Sequence, residues 1–244
     1  MINKTTWTDS ASIQYHLNQW DNPKESTKEF EKFISKYLVP GTTIIDIGCG
    51  AGAATAYLAN KHPEINFIGI DYEKELVELA IDYKSKKNIK NLFFECGDIF
   101  NINSKKNIHG VISLQTISWI DNFEKPLEEI IEKLNPKWIS MTGLFYEGDI
   151  TCRIEVEEFI KNSRKVFYNT YSIPSLNRYC KTLNYEISKY LPFEISIDLI
   201  KPNNNDILGT YTEKIIVNEI DFKRIQISGP LLMNWYTILI NKIN

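Results

Sequence analysis

One glycine-rich turn and three acidic residues have the types and spacing of a small-molecule binding site. The turn lies in Ile45-Asp46-Ile47-Gly48-Cys49-Gly50-Ala51-Gly52, between a predicted strand and a predicted helix. Its glycines allow a tight turn and a close backbone approach to a ligand, and the helix start offers free amides to a carboxylate or phosphate. The turn alone leaves the ligand open, because dinucleotide-binding enzymes place G-x-G-x-x-G at the same point and Gly50-x-Gly52-x-x-Thr55 approximates it.

The three acids narrow the choice of ligand. Asp46 ends the first predicted strand, where its carboxylate would repel a pyrophosphate and attract an ammonium; S-adenosylmethionine (SAM) has an ammonium and NAD has none. Asp71 ends the second strand and could accept hydrogen bonds from the ribose hydroxyls of either cofactor. Asp98 follows the third strand, where it could accept from an adenine amino group while Ile99 packs on the ring. Together they favour SAM, although each acid taken singly could be a helix N-cap.

A regular alternation of strands and helices positions these residues. Short apolar strands are predicted at Thr42–Ile47, Asn66–Ile70, Leu92–Glu95, Gly110–Leu114 and Trp138–Thr142. Helices are predicted at Ala53–Lys61, Glu73–Lys86 and Phe123–Leu134. This pattern indicates a doubly wound parallel sheet. Further along, Ile154–Val166 and Ile173–Leu183 look helical, and Glu186–Ile200 with Tyr211–Ile227 fit a closing antiparallel pair.

The bulk properties disfavour several other classes of protein. The formal net charge of the 244 residues is -3, whereas a non-specific nucleic-acid binder normally has a strong basic excess. The four cysteines lack zinc-ligand spacing, so we expect no metal site and a reducing compartment. The N-terminus has no apolar signal core, and the longest apolar run, Leu231–Ile240, contains Asn234 and is too short to span a membrane. We therefore expect a cytoplasmic protein without a membrane partner.

The stretch from Asp46 to Gly52, Asp71, and Asp98-Ile99 resembles motifs I, II and III of the class I SAM-dependent methyltransferases. Leu114–Trp119 resembles motif IV, and Leu134-Asn135-Pro136 resembles the turn before the motif V strand. The resemblance covers about residues 40–145. It implies an α/β, Rossmann-like sheet of seven strands in the order 3-2-1-4-5-7-6 with strand 7 antiparallel, and SAM as cofactor with S-adenosylhomocysteine as product. The cofactor-binding residues that it implies are Asp46, Gly48, Cys49, Gly50, Gly52, Asp71, Tyr72, Asp98, Ile99 and Gln115.

The two ends of the chain resemble a narrower group, bacterial small-molecule methyltransferases often associated with surface-polysaccharide genes. The stretches that carry this resemblance are His16–Trp20 with Pro23–Thr27, Tyr168–Pro174, Gly209–Thr212 and Gln226–Trp235. We interpret 1–244 as a single methyltransferase domain. Residues 1–40 would form a helical N-terminal cap, 41–150 the SAM-binding core, and 151–244 a small substrate-side insertion after strand 5 with the closing strands.

The sequence offers two candidates for the catalytic base. In this family the aromatic N-terminal segment commonly folds over the cofactor, so a neutral His16 could remove a hydroxyl proton during transfer; a solvated or capping histidine is the alternative. Glu147, after strand 5, is an alternative base or substrate-orienting group. The candidate substrate-binding residues, for which packing or a solvated surface is the alternative, are Tyr15, Trp20, Trp119, Tyr146, Tyr168, Tyr171 and Arg178.

The function predicted from these features is methyl transfer from SAM to a small polar acceptor. The favoured reaction is O-methylation of a sugar, a nucleotide-linked sugar or another surface-glycan precursor, by a monomer or homodimer that binds no nucleic acid. Three alternatives stay open: N- or carboxyl-methylation of another small metabolite, a non-catalytic SAM-binding module, and an NAD-dependent oxidoreductase.

Overall fold

The computed structural model describes residues 10–158, 164–192, 210–216, 222–228 and 234–243. Its centre is a twisted sheet in the order β3-β2-β1-β4-β5-β12-β9. The strands of this sheet are β1 Thr43–Ile47, β2 Asn66–Asp71, β3 Leu92–Cys96, β4 Ile108–Leu114, β5 Trp138–Tyr146, β9 Tyr185–Pro192 and β12 Asn234–Lys242. The first five are parallel, and β12 runs antiparallel to both β5 and β9. The predicted seven-strand order with an antiparallel last strand is confirmed.

Six α-helices and two short 3-10 helices, Ser35–Tyr37 and Ile117–Trp119, accompany the sheet in the described part of the chain. The α-helices are α1 Ser10–Asn18, α2 Glu25–Ile34, α3 Ala53–Lys61, α4 Lys74–Lys87, α5 Glu124–Leu134 and α6 Ile173–Thr182. Successive side chains of β1 point to opposite faces of the sheet and are apolar on both, so helices must pack against both faces. Ile45 and Ile47 pack into a core with α5 and α6, whereas Ile44 packs into a second core with α2, α3 and α4. Among the described helices, none has the length and apolar character needed to cross a membrane.

The segment after β5 differs from its prediction. Instead of a helix over Ile154–Val166, strands β6 Glu155–Glu158 and β7 Arg164–Phe167 form an antiparallel hairpin. The pairing begins at the Cys152–Thr170 bridge, whose amides and carbonyls exchange bonds of 2.9 Å, and continues into the hairpin. A ladder anchored in the core therefore overrides the local helical pattern. A two-residue strand, β8 Tyr171–Ser172, then pairs with β5 and leads into α6.

The closing strands are also paired differently from the prediction. The segment around Tyr211–Ile227 forms a separate hairpin of β10 Thr210–Ile216 and β11 Phe222–Ser228, and the apolar run near the C-terminus supplies β12 instead. Only part of the resemblance at 209–212 and 226–235 can be located, because residues 209 and 229–233 lie outside the described residues.

Candidate active site

A cavity of about 510 Å³ opens at the carboxyl ends of the parallel strands. Ligands of open α/β sheets bind at this edge, where the strand order reverses between β1 and β4. Most of the residues selected from the sequence line it: Tyr15, His16, Asp46, Gly48, Cys49, Gly50, Gly52, Asp71, Tyr72, Ile99, Gln115 and Trp119. The helices α1 and α2 contribute to its wall, as do β1, β2, β4 and β5 and the segment that follows β3.

The backbone of the glycine-rich turn leaves no room for a side chain at two of its glycines. Gly48 has φ +75°, and a Cβ there would lie 2.3 Å from Thr116 Oγ1. Gly52 has φ +80°, and its Cβ would lie 2.3 Å from the Phe94 ring. Left-handed φ and close neighbours both require glycine at these positions. The turn leads directly into α3, whose first two residues, Ala53 and Ala54, line the cavity. The first amides of a helix have no partner within the helix.

Asp46 is almost fully buried at the tip of β1. Its Oδ2 accepts a hydrogen bond of 2.6 Å from the Thr55 hydroxyl, whereas its buried Oδ1 has no hydrogen-bond partner among the described residues. Burial, together with the nearby charge of Asp71, raises the pKa of Asp46 to about 7. A buried acceptor without a donor is costly, so this oxygen is suited to a cationic donor that enters with a ligand.

Asp71, at the tip of β2, shapes the same turn. Its two oxygens accept bonds of 2.6 Å from the Gly50 amide and 2.9 Å from the Glu73 amide. Burial raises the pKa of Asp71, and the bonds from Glu73 and Gly50 partly offset the effect. Each carboxylate oxygen has a second lone pair, so Asp71 can hold the turn and still accept from ligand hydroxyls.

Asp98 lies beside the cavity, whereas its neighbours Gly97 and Ile99 line the cavity. Its Oδ1 accepts a bond of 2.9 Å from the Phe100 amide in a tight local turn. The structure therefore supports apolar contact by Ile99 with a ligand. The hydrogen bond from the adenine amino group to the Asp98 carboxylate stays a prediction.

Gln115 directly follows β4 and has φ +58°, an unusual conformation for a residue with a long side chain. Its amide donates to the carbonyl and hydroxyl of Thr142 on β5, at 3.0 and 2.9 Å. Its side-chain Oε1 lies 3.4 Å from Lys24 Nζ. Backbone strain of this kind is common at functional sites and requires fixed surroundings, which Thr142 supplies here.

His16 reaches the cavity from α1. A Cβ built on Gly50 would lie 3.8 Å from His16 Cε1, so the imidazole lies over the glycine turn. Its Nε2 is buried and has no hydrogen-bond partner among the described residues. Burial, and secondarily the charge of Lys24, lowers the pKa of His16 below its ordinary value. The ring is therefore neutral at pH 7 and can accept a proton.

Comparison with known proteins identifies the family of this chain. A family model described as a methyltransferase domain matches residues 38–185, more than half of the chain. The chain belongs to this methyltransferase family. It is 26% identical over 195 residues to a malonyl-[acyl-carrier protein] O-methyltransferase of Bacillus cereus, covering 74% of this chain and 70% of that protein. The chain spans only 52% of the corresponding Bacillus anthracis protein.

Two solved structures illustrate the shared methyltransferase fold. A SAM-dependent methyltransferase of Clostridium acetobutylicum matches with a TM-score of 0.60 and 13% identity, covering 96% of this chain and 98% of that chain. An O-methyltransferase of Brevibacillus brevis, solved with S-adenosylhomocysteine, matches with a TM-score of 0.55 and 14% identity, covering 74% of this chain and 59% of that chain. The chain is accordingly a class I methyltransferase enzyme with SAM as its cofactor.

The cavity of this methyltransferase has donors and acceptors that fit SAM. The unpartnered Oδ1 of Asp46 suits the ammonium, and the first amides of α3 suit the carboxylate of the methionine part. Asp71 would accept from the ribose, while Ile99 and Leu76 offer apolar contact to the adenine ring. These roles are assigned by position and remain predictions.

Several predicted substrate-binding residues do not line the cavity. Trp20 is buried against Tyr83 and Phe94, and its indole donates a bond of 2.8 Å to the Ala51 carbonyl. It anchors the segment after α1 to the glycine turn, because a buried indole N–H needs an acceptor. Tyr171 is fully buried in the core, where its hydroxyl donates to the Ile120 carbonyl at 3.0 Å. The prediction that these two residues contact substrate is therefore corrected.

Three other candidate residues also lie outside the cavity. Glu147 is exposed, does not line the cavity and accepts a bond of 2.9 Å from the Tyr236 hydroxyl, so its predicted role as a base or substrate-orienting group has no support in the structure. Tyr146 is exposed outside the cavity. Arg178 is exposed and pairs with Asp149 at 2.5 Å, as expected for a solvated helix residue.

Tyr168 contributes indirectly to the cavity. Its ring meets Trp119 edge to face, with centroids 4.8 Å apart, and Trp119 lines the cavity. The hairpin insertion is thereby connected to the wall on which Trp119 lies.

Sequence reasoning missed Lys24 and Thr142. Lys24 follows Asn22-Pro23 just before α2, and nothing in its local sequence indicates contact with Gln115, 91 residues away. Thr142 is the last residue of the predicted fifth strand, whereas the observed β5 continues to Tyr146. A signal for Thr142 existed in its position near the ligand edge of the sheet.

The pKa of Asp46 predicts how SAM affinity varies with pH. Below about 7 the unliganded carboxyl is mostly protonated, and a cation must displace that proton in order to bind. We expect SAM binding to strengthen about five- to tenfold between about pH 6 and pH 7.5, with proton release at the lower pH. Calorimetry in buffers of different ionisation enthalpy measures both quantities. Asp46→Asn should bind SAM more weakly with a flat pH profile; an unchanged slope in that variant would contradict the role of Asp46.

Proposed function

We propose that this methyltransferase transfers the methyl group of SAM to an oxygen of a small polar acceptor, with His16 as the base. Two observations carry the proposal: His16 lines the cavity, and its buried Nε2 has no hydrogen-bond partner among the described residues. SAM supplies a methyl group that its sulfonium already activates, so the protein mainly positions the acceptor and excludes water.

The residues of the chain then have distinct tasks. The acceptor oxygen binds over the tips of β4 and β5, where Gln115, Trp119 and Thr142 line the cavity. His16 Nε2 takes the hydroxyl proton as the oxygen forms its bond to the methyl carbon, and the carbon–sulfur bond breaks with its electron pair left on sulfur. A neutral imidazole is needed for this step, and the lowered pKa of His16 keeps it neutral at pH 7.

The favoured acceptor is a sugar, a nucleotide-linked sugar or another surface-glycan precursor. The resemblance of the chain ends to polysaccharide-associated methyltransferases supports it, as does the net charge of -3, which disfavours nucleic acid. Carboxyl methylation is the second candidate, favoured by the similarity to the Bacillus cereus malonyl-[acyl-carrier protein] O-methyltransferase. We propose a monomer or homodimer acting on a small molecule in either case.

Methyl-labelled SAM and four acceptor classes test the proposal. Purified protein is incubated with nucleotide sugars, carboxylic acids, primary amines and tRNA, and the products are analysed by mass spectrometry alongside S-adenosylhomocysteine formation. We expect label on oxygen in the first class. Label on carboxylates would favour the second candidate, while label confined to amines or RNA would contradict O-methylation.

A further inference from the structure

The ammonium group of Lys24 places a positive charge in the wall of the cavity. Among the residues that the structure describes, Lys24 is the only lysine or arginine that lines the cavity, whose wall also contains Asp46, Asp71 and Glu73. Its Nζ lies 3.4 Å from Gln115 Oε1 and 5.0 Å from the centroid of the Tyr15 ring. Neither neighbour carries a negative charge.

No carboxylate neutralises Lys24 within the described part of the chain. The adjacent Glu25 is already paired with Lys28 at 2.5 Å, and no ion pair between described residues includes Lys24. The side chain is only partly exposed, and a partly desolvated ammonium without a counter-charge favours an anionic ligand. We propose that Lys24 binds an anionic group, a carboxylate or a phosphate, of the methyl acceptor.

Position along the sheet separates this anion from the carboxylate of SAM. The cofactor half of the cavity lies over β1, β2 and β3, where the first amides of α3 offer a carboxylate its own site. Lys24 instead meets Gln115 after β4, beside Trp119 and Thr142. The anion would therefore lie on the acceptor side. This inference rests on the proposed transfer to a small acceptor.

Lys24 also links anion binding to the proposed base. Its charge contributes to the lowered pKa of His16, after burial, so the two side chains are close enough to interact. An acceptor anion beside Lys24 would place a neighbouring hydroxyl of the same molecule within the region of His16. Acceptors with an acidic group near the methylated oxygen would then be preferred to neutral ones.

Binding of small anions to the protein saturated with S-adenosylhomocysteine tests the inference without turnover. The probes are malonate and inorganic phosphate, with uncharged malonamide as the matched control, measured by calorimetry and by the rise in Tm. We expect at least one anion to bind better than malonamide, and its Kd to rise about tenfold or more in Lys24→Gln. Lys24→Arg should retain binding, as should Lys32→Gln, which changes an exposed lysine on α2, the helix that Lys24 precedes. The preferred anion distinguishes a carboxylate from a phosphate acceptor.

Two outcomes would overturn the inference. If Lys24→Gln weakens S-adenosylhomocysteine binding about tenfold and leaves anion binding unchanged, Lys24 serves the cofactor. If neither anion binds the wild-type protein better than malonamide, the acceptor side has no anion site. Failure of O-methylation would appear separately, in the labelling assay, because anion binding requires no methyl transfer.

Discussion

His16→Asn is expected to lower the turnover number by about 10²- to 10⁴-fold, the range typical of a lost general base. Asparagine retains a polar side chain of similar reach but cannot accept a proton at neutral pH. The imidazole belongs to a residue that lines the cavity, and its buried Nε2, which has no partner among the described residues, is the proposed proton acceptor. SAM affinity should change by less than about threefold, because the effect lies in the transfer step. Steady-state kinetics with an acceptor from the labelling assay, and calorimetry with SAM, measure the two quantities.

The pH profile supplies the matched readout for His16. Since burial and Lys24 lower its pKa, the wild-type rate should fall only below the ordinary titration range of histidine, as the ring becomes protonated. That acid limb should disappear in His16→Asn. Gln14→Ala, on an exposed position of the same helix, controls for damage to α1. Intact turnover in His16→Asn would exclude the base role, and a loss of SAM affinity as large as the loss of rate would assign His16 to the cofactor.

The sheet and its ligand edge could be predicted because their signals are local. Each parallel strand of the core is a short apolar run, and Ile44 and Ile45 show why: neighbouring residues pack into opposite cores. The positive φ values of Gly48 and Gly52 explain the glycines of the turn. Neighbouring parallel strands have their carboxyl ends at the same edge of the sheet, so the strand assignments alone predict that Asp46 and Asp71 lie close together.

The outer elements could not be predicted in the same way because they depend on distant partners. The apolar run at Leu231–Ile240 is too short to span a membrane, and its sequence does not indicate a partner strand, yet Trp235 pairs with Leu144 and Ile240 with Ile139 in the sheet. The hairpin of β6 and β7 extends a ladder fixed at Cys152 and Thr170. Such pairings join residues that are far apart in the chain, so they cannot be predicted from the local pattern of apolar and polar residues.

The same reason separates the site residues that were found from those that were missed. Glu147 directly follows β5, and Tyr171 lies in the insertion after that strand; both positions suggested contact with substrate. Side-chain direction decided otherwise: Tyr171 turns into the core and Glu147 turns to the surface. Lys24 reaches the cavity only because α1 and α2 pack over the sheet, and its contact with Gln115 spans 91 residues.

Asp71→Ala is expected to weaken SAM binding by about 1–3 kcal/mol, or about 5- to 150-fold in Kd, as when a charged hydrogen-bonding partner is lost. Two effects contribute to this loss. The carboxylate would no longer accept from the ribose hydroxyls, and the amides of Gly50 and Glu73 would lose their acceptor. Calorimetry gives the affinity, and the Tm of the unliganded protein reports any loosening of the turn. Asp82→Ala, an exposed acid on α4 paired with Lys86, should leave both unchanged.

Asp71→Asn separates the charge from the hydrogen bonds. Its amide oxygen can still accept from one backbone amide, so the turn should be better preserved than in Asp71→Ala. The charge of Asp71 helps to raise the pKa of Asp46, and its removal should therefore lower that pKa. The rise of SAM affinity with pH should then move to lower pH in Asp71→Asn. If SAM affinity is unchanged in Asp71→Ala, the ribose role is excluded; if the pH dependence fails to move in Asp71→Asn, the charge of Asp71 does not raise the pKa of Asp46.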